Sequence, residues 1–260
     1  MNEQPRDDMY FQGSGISLRF GGLTALSDVS FHARRNSLQA IIGPNGAGKT
    51  SLFNVITGFY RMDEGKISLD GELISGLPPH LIARRGIART FQNLEIFTNM
   101  TVMENVLAGG HLRAGYGPFD FFFRTPRFFR EERHLQELAK ESLDFVGLYE
   151  RRDLPAEQLP FGSQRLLEIA RALAAQPKAL LLDEPAAGLN MKETAALGEL
   201  IRRIVDNGIT VVMVEHDMNL VMKISERIMV LNYGRVIADG TPAEVRKTPA
   251  VIAAYLGEEE

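Results

Sequence analysis

Cysteine is absent from the 260 residues. That excludes a disulfide framework and thiolate metal sites, and it fits a reducing compartment. No apolar run reaches the roughly 18 to 20 residues needed to span a bilayer, so any service to a membrane runs through partner chains. An excess of positive charge is missing too. Lys and Arg number 29 against 33 Asp and Glu, a formal net charge of −4, so no global basic field recruits nucleic acid or anionic lipid. Internal repeats and long low-complexity tracts are lacking. Residues 1–8 are polar with two adjacent acids and do not read as a signal peptide. What remains is the balance of a globular protein, 45% hydrophobic and 24% charged, and long enough to bury a sizeable core.

Residues 16–20 and 29–32 alternate or cluster apolar side chains between glycines and polar turns, which predicts short strands. Tyr10-Phe11-Gln12-Gly13 reads as an edge strand ahead of them. Residues 38–42 form a compact apolar run ending at Gly43, the pattern of a buried strand. From Lys49 the pattern turns helical and stops at Gly58, a C-cap. Residues 66–69 and 72–74 flank Asp70-Gly71, the strongest short hairpin signal.

The middle of the chain differs. Leu135, Leu138, Ala139, Leu143 and Val146 recur at helical spacing, as do Leu166, Ile169, Ala170 and Leu173. Strand and helix alternate again after Pro177. Residues 179–182 predict a buried strand, Leu197, Leu200, Ile201 and Ile204 a helix face, 209–214 a strand and 218–224 a helix. Residues 228–231 and 235–238 flank Tyr233-Gly234, a second hairpin. Such alternation predicts an α/β fold with a mainly parallel sheet, into which the helical middle is inserted.

Gly43-Pro44-Asn45-Gly46-Ala47-Gly48-Lys49-Thr50 matches G-x-x-x-x-G-K-S/T in full, between a predicted strand and a predicted helix. The spacing has a chemical reason. Glycines let the backbone wrap closely around phosphates, and successive N–H groups at a helix N-terminus face the negative charge. Lys49 is placed to reach the β- and γ-phosphates, and the Thr50 hydroxyl to bind Mg2+. Downstream, Ala179-Leu180-Leu181-Leu182-Asp183-Glu184-Pro185 ends a buried strand in two acids. They lie at the carboxyl edge of the sheet, where ligands bind in open α/β folds. Asp183 then holds Mg2+, directly or through water, and Glu184 orients and deprotonates the attacking water.

With what lies between and after them, these motifs resemble the ATP-binding cassette (ABC) transporter ATPases, over nearly the whole chain and in the right order. Leu159-Pro160-Phe161-Gly162-Ser163-Gln164-Arg165 stands where that family has its L-S-G-G-Q signature, ahead of the helix starting Leu167-Glu168-Ile169-Ala170-Arg171. Gln92, in Arg89-Thr90-Phe91-Gln92-Asn93, matches the glutamine loop. His216, in Val214-Glu215-His216-Asp217, matches the switch histidine. Phe20 sits where the family stacks an aromatic ring on adenine; taken alone it reads as a core residue.

The resemblance implies a P-loop NTPase core with a mainly parallel sheet, an antiparallel β-subdomain and an inserted α-helical subdomain. It implies a single ABC ATPase domain over residues 1–260, with a core lobe of 1–91 and 175–260 and a helical signature subdomain of 92–174. The ligands it implies are ATP and Mg2+. Nucleotide is assigned to Phe20, Gly43, Pro44, Asn45, Gly46, Ala47, Gly48, Lys49, Thr50, Ser51, Gly162 and Ser163. The metal is assigned to Thr50, Gln92 and Asp183, and catalysis to Lys49, Gln92, Glu184 and His216. In this family two subunits clamp two ATPs head to tail, so Gly162 and Ser163 would present donors across the interface, and His216 would hydrogen-bond the γ-phosphate.

Two motifs depart from the family pattern. Pro160 replaces the signature serine, whose hydroxyl the family aims at the γ-phosphate, and Phe161 replaces a glycine. Asn190, in Ala187-Gly188-Leu189-Asn190, stands where the family often has aspartate. The Thr90-Phe91-Gln92-Asn93 loop, the signature variant and the tail Gly240-Thr241-Pro242 through Tyr255-Leu256-Gly257 look like the branched-chain amino acid importers, closest to the first of their two ATPase subunits. Importers of urea or short amides share much of this. The implied partners are a second ATPase (a heterodimer in the cell, a homodimer in isolation), two transmembrane permeases and a periplasmic or extracellular substrate-binding protein, with no nucleic acid. The implied place is the cytoplasmic face of the inner membrane, as a peripheral subunit.

Other readings stay open at this point: a soluble ABC ATPase acting on nucleic acid or the ribosome, and an ATP sensor that clamps without hydrolysis. Against the first, no heptad run fills the span from Gln92 to Leu159; against the second, Glu184 and His216 are both present. The stretch from Phe119 to Arg130 interleaves six phenylalanines with Arg124, Arg127 and Arg130. Burial of these rings in the helical lobe is the favoured expectation, and a patch facing the membrane or its subunits is the alternative.

Overall fold

The computed structural model describes residues 9–111 and 115–256. The polar segment 1–8 and Gly257 of the tail motif lie outside them. The chain divides into two compact units, Met1–Arg89 with Lys178–Glu260, and Thr90–Pro177.

The first unit holds two sheets. Strands β1 (Phe11–Phe20), β2 (Leu23–Ala33), β4 (Glu64–Leu69) and β5 (Glu72–Leu73) form an antiparallel sheet in the order β2-β1-β4-β5. Strand β3 (Leu38–Ile42) belongs to the other sheet and is followed by helices α1 (Lys49–Ile56) and α2 (Pro79–Arg84) and strand β6 (Ile87–Arg89). The expected edge strand around Tyr10 to Gly13 is therefore an inner one: Phe11 pairs with Ala33 on one side and Leu69 on the other, and its ring is fully buried. Both early strands run much longer than expected. Register shifts in β1 bend it, and those irregularities break the alternation a sequence reading depends on.

The second sheet has the order β10-β9-β3-β8-β7-β6. Its remaining strands are β7 (Ala179–Asp183), β8 (Thr210–Val214), β9 (Arg227–Asn232) and β10 (Arg235–Gly240). All neighbouring pairs are parallel except β9 with β10. Every residue of β3, β7 and β8 is buried, as parallel strands covered on both faces require. Helices α7 (Met191–Asp206), α8 (Met218–Ile224), α9 (Pro242–Val245) and α10 (Pro249–Leu256) complete the unit. The expected face of α7, from Leu197 to Ile204, is buried. One apolar cluster joins Phe11 and Phe31 of the first sheet, Leu52, Phe53 and Ile56 of α1, and Ile41 and Val212 of the second. Helix α1 is thus locked into the core, which fixes the loop that opens it. Both hairpins form where Asp70-Gly71 and Tyr233-Gly234 predict them. The turn residues have positive φ, 54° at Asp70 and 45° at Tyr233, as a type I′ turn demands.

The second unit is helical: α3 (Val102–Gly110), α4 (Pro118–Phe123), α5 (Pro126–Val146) and α6 (Phe161–Ala174). The predicted stripe of α5 is buried from Leu135 to Val146. In α6 the predicted face is buried at Ile169 and Ala170 but not at Leu166 and Leu173. Leu167, Ile169, Ala170, Ala172 and Ala174 are buried, together with Arg165 and Glu168, whereas Leu166 and Leu173 are half-buried. The pairing of Arg165 with Glu168 at 3.3 Å lets a charged face turn inward.

The phenylalanine-rich segment overturns the expected burial. Phe119, Phe121, Phe122, Phe123 and Phe129 are 54–79% exposed; Phe123 packs against Phe119 and Phe122, and half-buried Phe128 packs against Phe121 and Phe129. Gly117 and Pro118 start α4 and Arg124 ends it with φ 46°, so four of the six rings sit on a short helix and the last two on the first turn of α5. Six residues offer too little length to lay a stripe of rings onto neighbours. Among the described residues no helix is long and apolar enough to cross a membrane.

Candidate functional site

Three strand ends meet at one edge of the second sheet. Because β3, β8 and β7 are adjacent and parallel, the loops after Ile42, Val214 and Asp183 leave the sheet at the same carboxyl edge. The first carries the phosphate-loop motif. Gly43 has φ 150°, and a Cβ there would lie 2.1 Å from the Leu231 carbonyl oxygen; Gly48 has φ 104°, and a Cβ there would lie 2.8 Å from the Ala25 oxygen. Only glycine fits either place. Gly48 is also the N-cap of α1, which has no side-chain cap and no acid in its first turn. Its positive dipole end therefore meets no capping side chain or acid of its own first turn. Lys49 is buried, and its Nζ donates to the carbonyl oxygens of Gly43 (2.6 Å) and Pro44 (2.9 Å), folding the ammonium over its own loop. Asn45, Gly46 and Thr50 are exposed, and Ser51 is half-buried. Ala47 is anchored, its amide donating to the Pro44 oxygen at 3.1 Å and its oxygen accepting from the Gly234 amide at 2.9 Å.

The second and third loops bring two predicted residues together. His216 Nε2 donates to Glu184 Oε1 at 2.8 Å. The Glu184 amide donates to the Val214 oxygen at 2.9 Å, and its φ of 48° puts a non-glycine residue in the left-handed region. Such strain persists only where the surroundings impose it. Asp183 closes β7 with its carboxylate buried; burial pushes its pKa up, and the hydrogen bond and charge of Arg89 pull against that. Phe20 is 46% exposed and packs edge-on against Tyr60, ring centroids 5.2 Å apart. It lies outside the core, against the reading of Phe20 as a core residue.

The other predicted residues belong to the helical unit. Gln92 lies in an exposed loop, and its carbonyl oxygen accepts from Arg165 at 2.7 Å. Gly162 and Ser163 occupy the first turn of α6, whose N-cap is Pro160. Pro160 thus sits one position earlier than the first helical turn, and its oxygen accepts from the Ser163 and Gln164 amides at 2.8 and 3.0 Å. The Ser163 hydroxyl accepts from Arg151 at 3.2 Å.

Residues 26–187 match the family model described as ABC transporter. The chain belongs to that family. Residues 235–260 also match the model described as branched-chain amino acid ATP-binding cassette transporter. The chain is 49% identical over 246 residues to a high-affinity branched-chain amino acid transport ATP-binding protein of Pseudomonas aeruginosa, covering 94% of this chain and 96% of that protein. It is 38% identical over 249 residues to a probable branched-chain amino acid transport ATP-binding protein of Archaeoglobus fulgidus, covering 96% of each. Among solved structures, the ADP conformation of an ATP-binding cassette of an ABC transporter is similar at TM-score 0.84 and 32% identity, over 95% of this chain and 98% of that one. The fold is the P-loop NTPase α/β fold, and the protein is an ABC-type ATPase that binds ATP and couples its hydrolysis to transport.

Sequence reasoning gave Glu215 and Arg165 of this ABC ATPase no role. Glu215 is buried and accepts from the amides of Ala186 (2.7 Å), His216 (2.9 Å) and Asp217 (3.2 Å). It ties the loop after β7 to the loop after β8, and so holds Glu184 and His216 in register; burial pushes its pKa up against those three donors. A lone acid beside a motif carries no signal of such a role. Asn190 is engaged locally, its Oδ1 capping α7 by accepting from the Lys192 and Glu193 amides at 3.0 and 3.1 Å. Arg165 fastens both the Phe91 and Gln92 carbonyls.

Proposed function

We propose that this ABC ATPase energises uptake of branched-chain amino acids, or of related small amino acids or amides, as one ATPase subunit of an importer. The match of residues 235–260 to the branched-chain amino acid cassette model carries this reading, and 49% identity to the Pseudomonas relative supports it. In this reading the chain pairs with a second ATPase subunit and works beneath two permease subunits. It is peripheral at the cytoplasmic membrane face, and a substrate-binding protein delivers the cargo. Unit Met1–Arg89 with Lys178–Glu260 acts as the catalytic lobe, and unit Thr90–Pro177 as the signature lobe.

The chemistry proposed is hydrolysis of the terminal phosphoanhydride. Amides of residues 43–51 and the Lys49 ammonium hold the phosphates, with Phe20 against adenine. Mg2+, when bound, neutralises phosphate charge as a Lewis acid. Thr50, Asp183 and Gln92 would hold it. Among the described residues no three His, Cys, Asp or Glu gather into a metal cluster. A sparse oxygen set completed by substrate phosphates is what magnesium favours. Glu184, steadied by His216 at 2.8 Å, takes the proton of the water that attacks the γ-phosphorus, and the bond to the β-phosphate oxygen breaks to leave ADP. His216 hydrogen-bonds the γ-phosphate, and Gly162 and Ser163 offer donors to the nucleotide of the facing subunit.

Glu184→Gln is expected to bind ATP normally and to lower steady-state phosphate release about 10²- to 10⁴-fold. Equal rates would remove Glu184 as the base. For the cargo, the protein reconstituted with its membrane subunits is expected to drive ATP-dependent leucine uptake. Transport of urea or short amides without leucine would move the assignment to that group.

A further inference from the structure

Arg89, the last residue of β6, has no role in the chemistry above. Its guanidinium donates to Asp183 Oδ2 at 2.7 Å, to Asn54 Oδ1 at 2.7 Å and to the Thr57 hydroxyl at 3.2 Å. It also lies 5.5 Å from the centre of the Phe53 ring. The Arg89 and Asp183 side chains are only 6% and 3% exposed, so solvent screening does not dilute the contact as it would on the surface. Three of these four neighbours, Phe53, Asn54 and Thr57, come from α1 and its C-cap, and α1 is the helix opened by the phosphate loop. The neutral oxygens of Asn54 and Thr57 fix one arm of a planar, permanently charged fork. The other arm is thereby aimed at Asp183. The helix that begins at the phosphate cradle thus dictates, through one guanidinium, the orientation of a carboxylate at the end of β7.

We infer that Arg89 is a positioning residue for the metal site, holding the Asp183 carboxylate in a single orientation relative to α1. This rests on reading Asp183 as the magnesium carboxylate. Groups that orient a metal-bound carboxylate matter nearly as much as the ligand, and their loss costs about 10- to 100-fold in metal affinity. Lysine keeps the charge but lacks the fork, so it cannot satisfy Asn54 and Asp183 in one plane.

The test titrates Mg2+ into full-length protein holding a fluorescent ATP analogue, with EDTA setting the metal-free baseline and thermal melting recorded in parallel. Arg89→Met is expected to bind the analogue without metal within about twofold of wild type. Its Mg2+ concentration at half-saturation is expected to rise about 10- to 100-fold, with Arg89→Lys recovering only part of the loss. An unchanged half-saturation in Arg89→Met, with a lowered melting temperature, would make Arg89 a brace of the core and overturn the inference. If Arg89→Met fails to fold, Arg89→Lys decides: a wild-type half-saturation overturns the inference and a raised one supports it. Asp183→Asn separates the two levels. If it leaves the Mg2+ dependence untouched, the metal reading itself fails. If it abolishes that dependence while Arg89→Met keeps the wild-type half-saturation, the Arg89 inference alone fails.

Discussion

At Glu184 the backbone is held at φ 48°, a conformation that costs a side-chain-bearing residue about 1–3 kcal/mol. Neighbours impose it: the Val214 oxygen takes the Glu184 amide, and Glu215 takes the amides of Ala186 and His216. Glu184→Gly is therefore expected to leave the melting temperature at or above wild type while abolishing phosphate release; a clear drop in stability would show that the His216 contact outweighs the strain. Pro160 is a second residue-scale case. It stands at the N-cap of α6 without a side-chain cap. Pro160→Ser is expected to stabilise the fold by about 0.5–2 kcal/mol as a new cap. The same hydroxyl is expected to strengthen ATP-driven dimerisation by about 1.5–3 kcal/mol. A raised melting point with unchanged dimerisation by light scattering would confine the gain to the cap. Both residues stood out in the sequence, yet the left-handed backbone of Glu184 did not, because distant neighbours impose it, nor did the place of Pro160 at the N-cap.

Among the elements, α3 carries its own punctuation. Thr101 and Glu104 form a capping box: the Thr101 amide donates to Glu104 at 2.8 Å, and the Glu104 amide donates to the Thr101 hydroxyl at 3.2 Å. The Thr101 amide, and then its hydroxyl, hold the Glu104 pKa below the ordinary glutamate value. A lowered folded-state pKa contributes stability that is present above the unfolded value and lost as pH falls through the folded one. The melting-temperature gap between wild type and Glu104→Ala is therefore expected to be widest near neutral pH and to narrow in acid. A gap independent of pH would leave only the helix-propensity difference. In α4 the four exposed rings make the opposite forecast to a core segment. Phe122→Ser with Phe123→Ser is expected to change stability by no more than about 0.5 kcal/mol per site and to raise solubility, measured by melting and by the soluble fraction. The aromatic run was visible in the sequence, but its burial was not, since a run of rings without helical spacing does not say which side meets the core. Strand β6 and helices α2, α3 and α4 were missed, being short or weakly periodic. In contrast, β3, β7, β8 and both I′ hairpins announced themselves through unbroken apolar runs and Asp-Gly or Tyr-Gly turns.

For the whole molecule, ATP binding is linked to stability because the cradle exists only in the folded chain. Mg-ATP at 100 times its Kd is expected to add about 2.7 kcal/mol, read as a rise in melting temperature that Lys49→Ala abolishes. An equal rise in that variant would place the binding elsewhere. Local spacing alone announced the phosphate loop, because a glycine-rich turn between a strand and a helix needs only neighbours in the chain. It likewise marked Asp183 and Glu184, since the strand that ends in them is apolar throughout. Only the tertiary structure decided which groups meet. Glu184 with His216, Asp183 with Arg89 and Glu215 with three amides are each joined by strand order and parallel register. Apart from the His216 and Asp217 amides, which neighbour Glu215, those contacts pair residues far apart along the chain, so no local pattern encodes them; they exist because β8, β7 and β6 lie side by side and parallel.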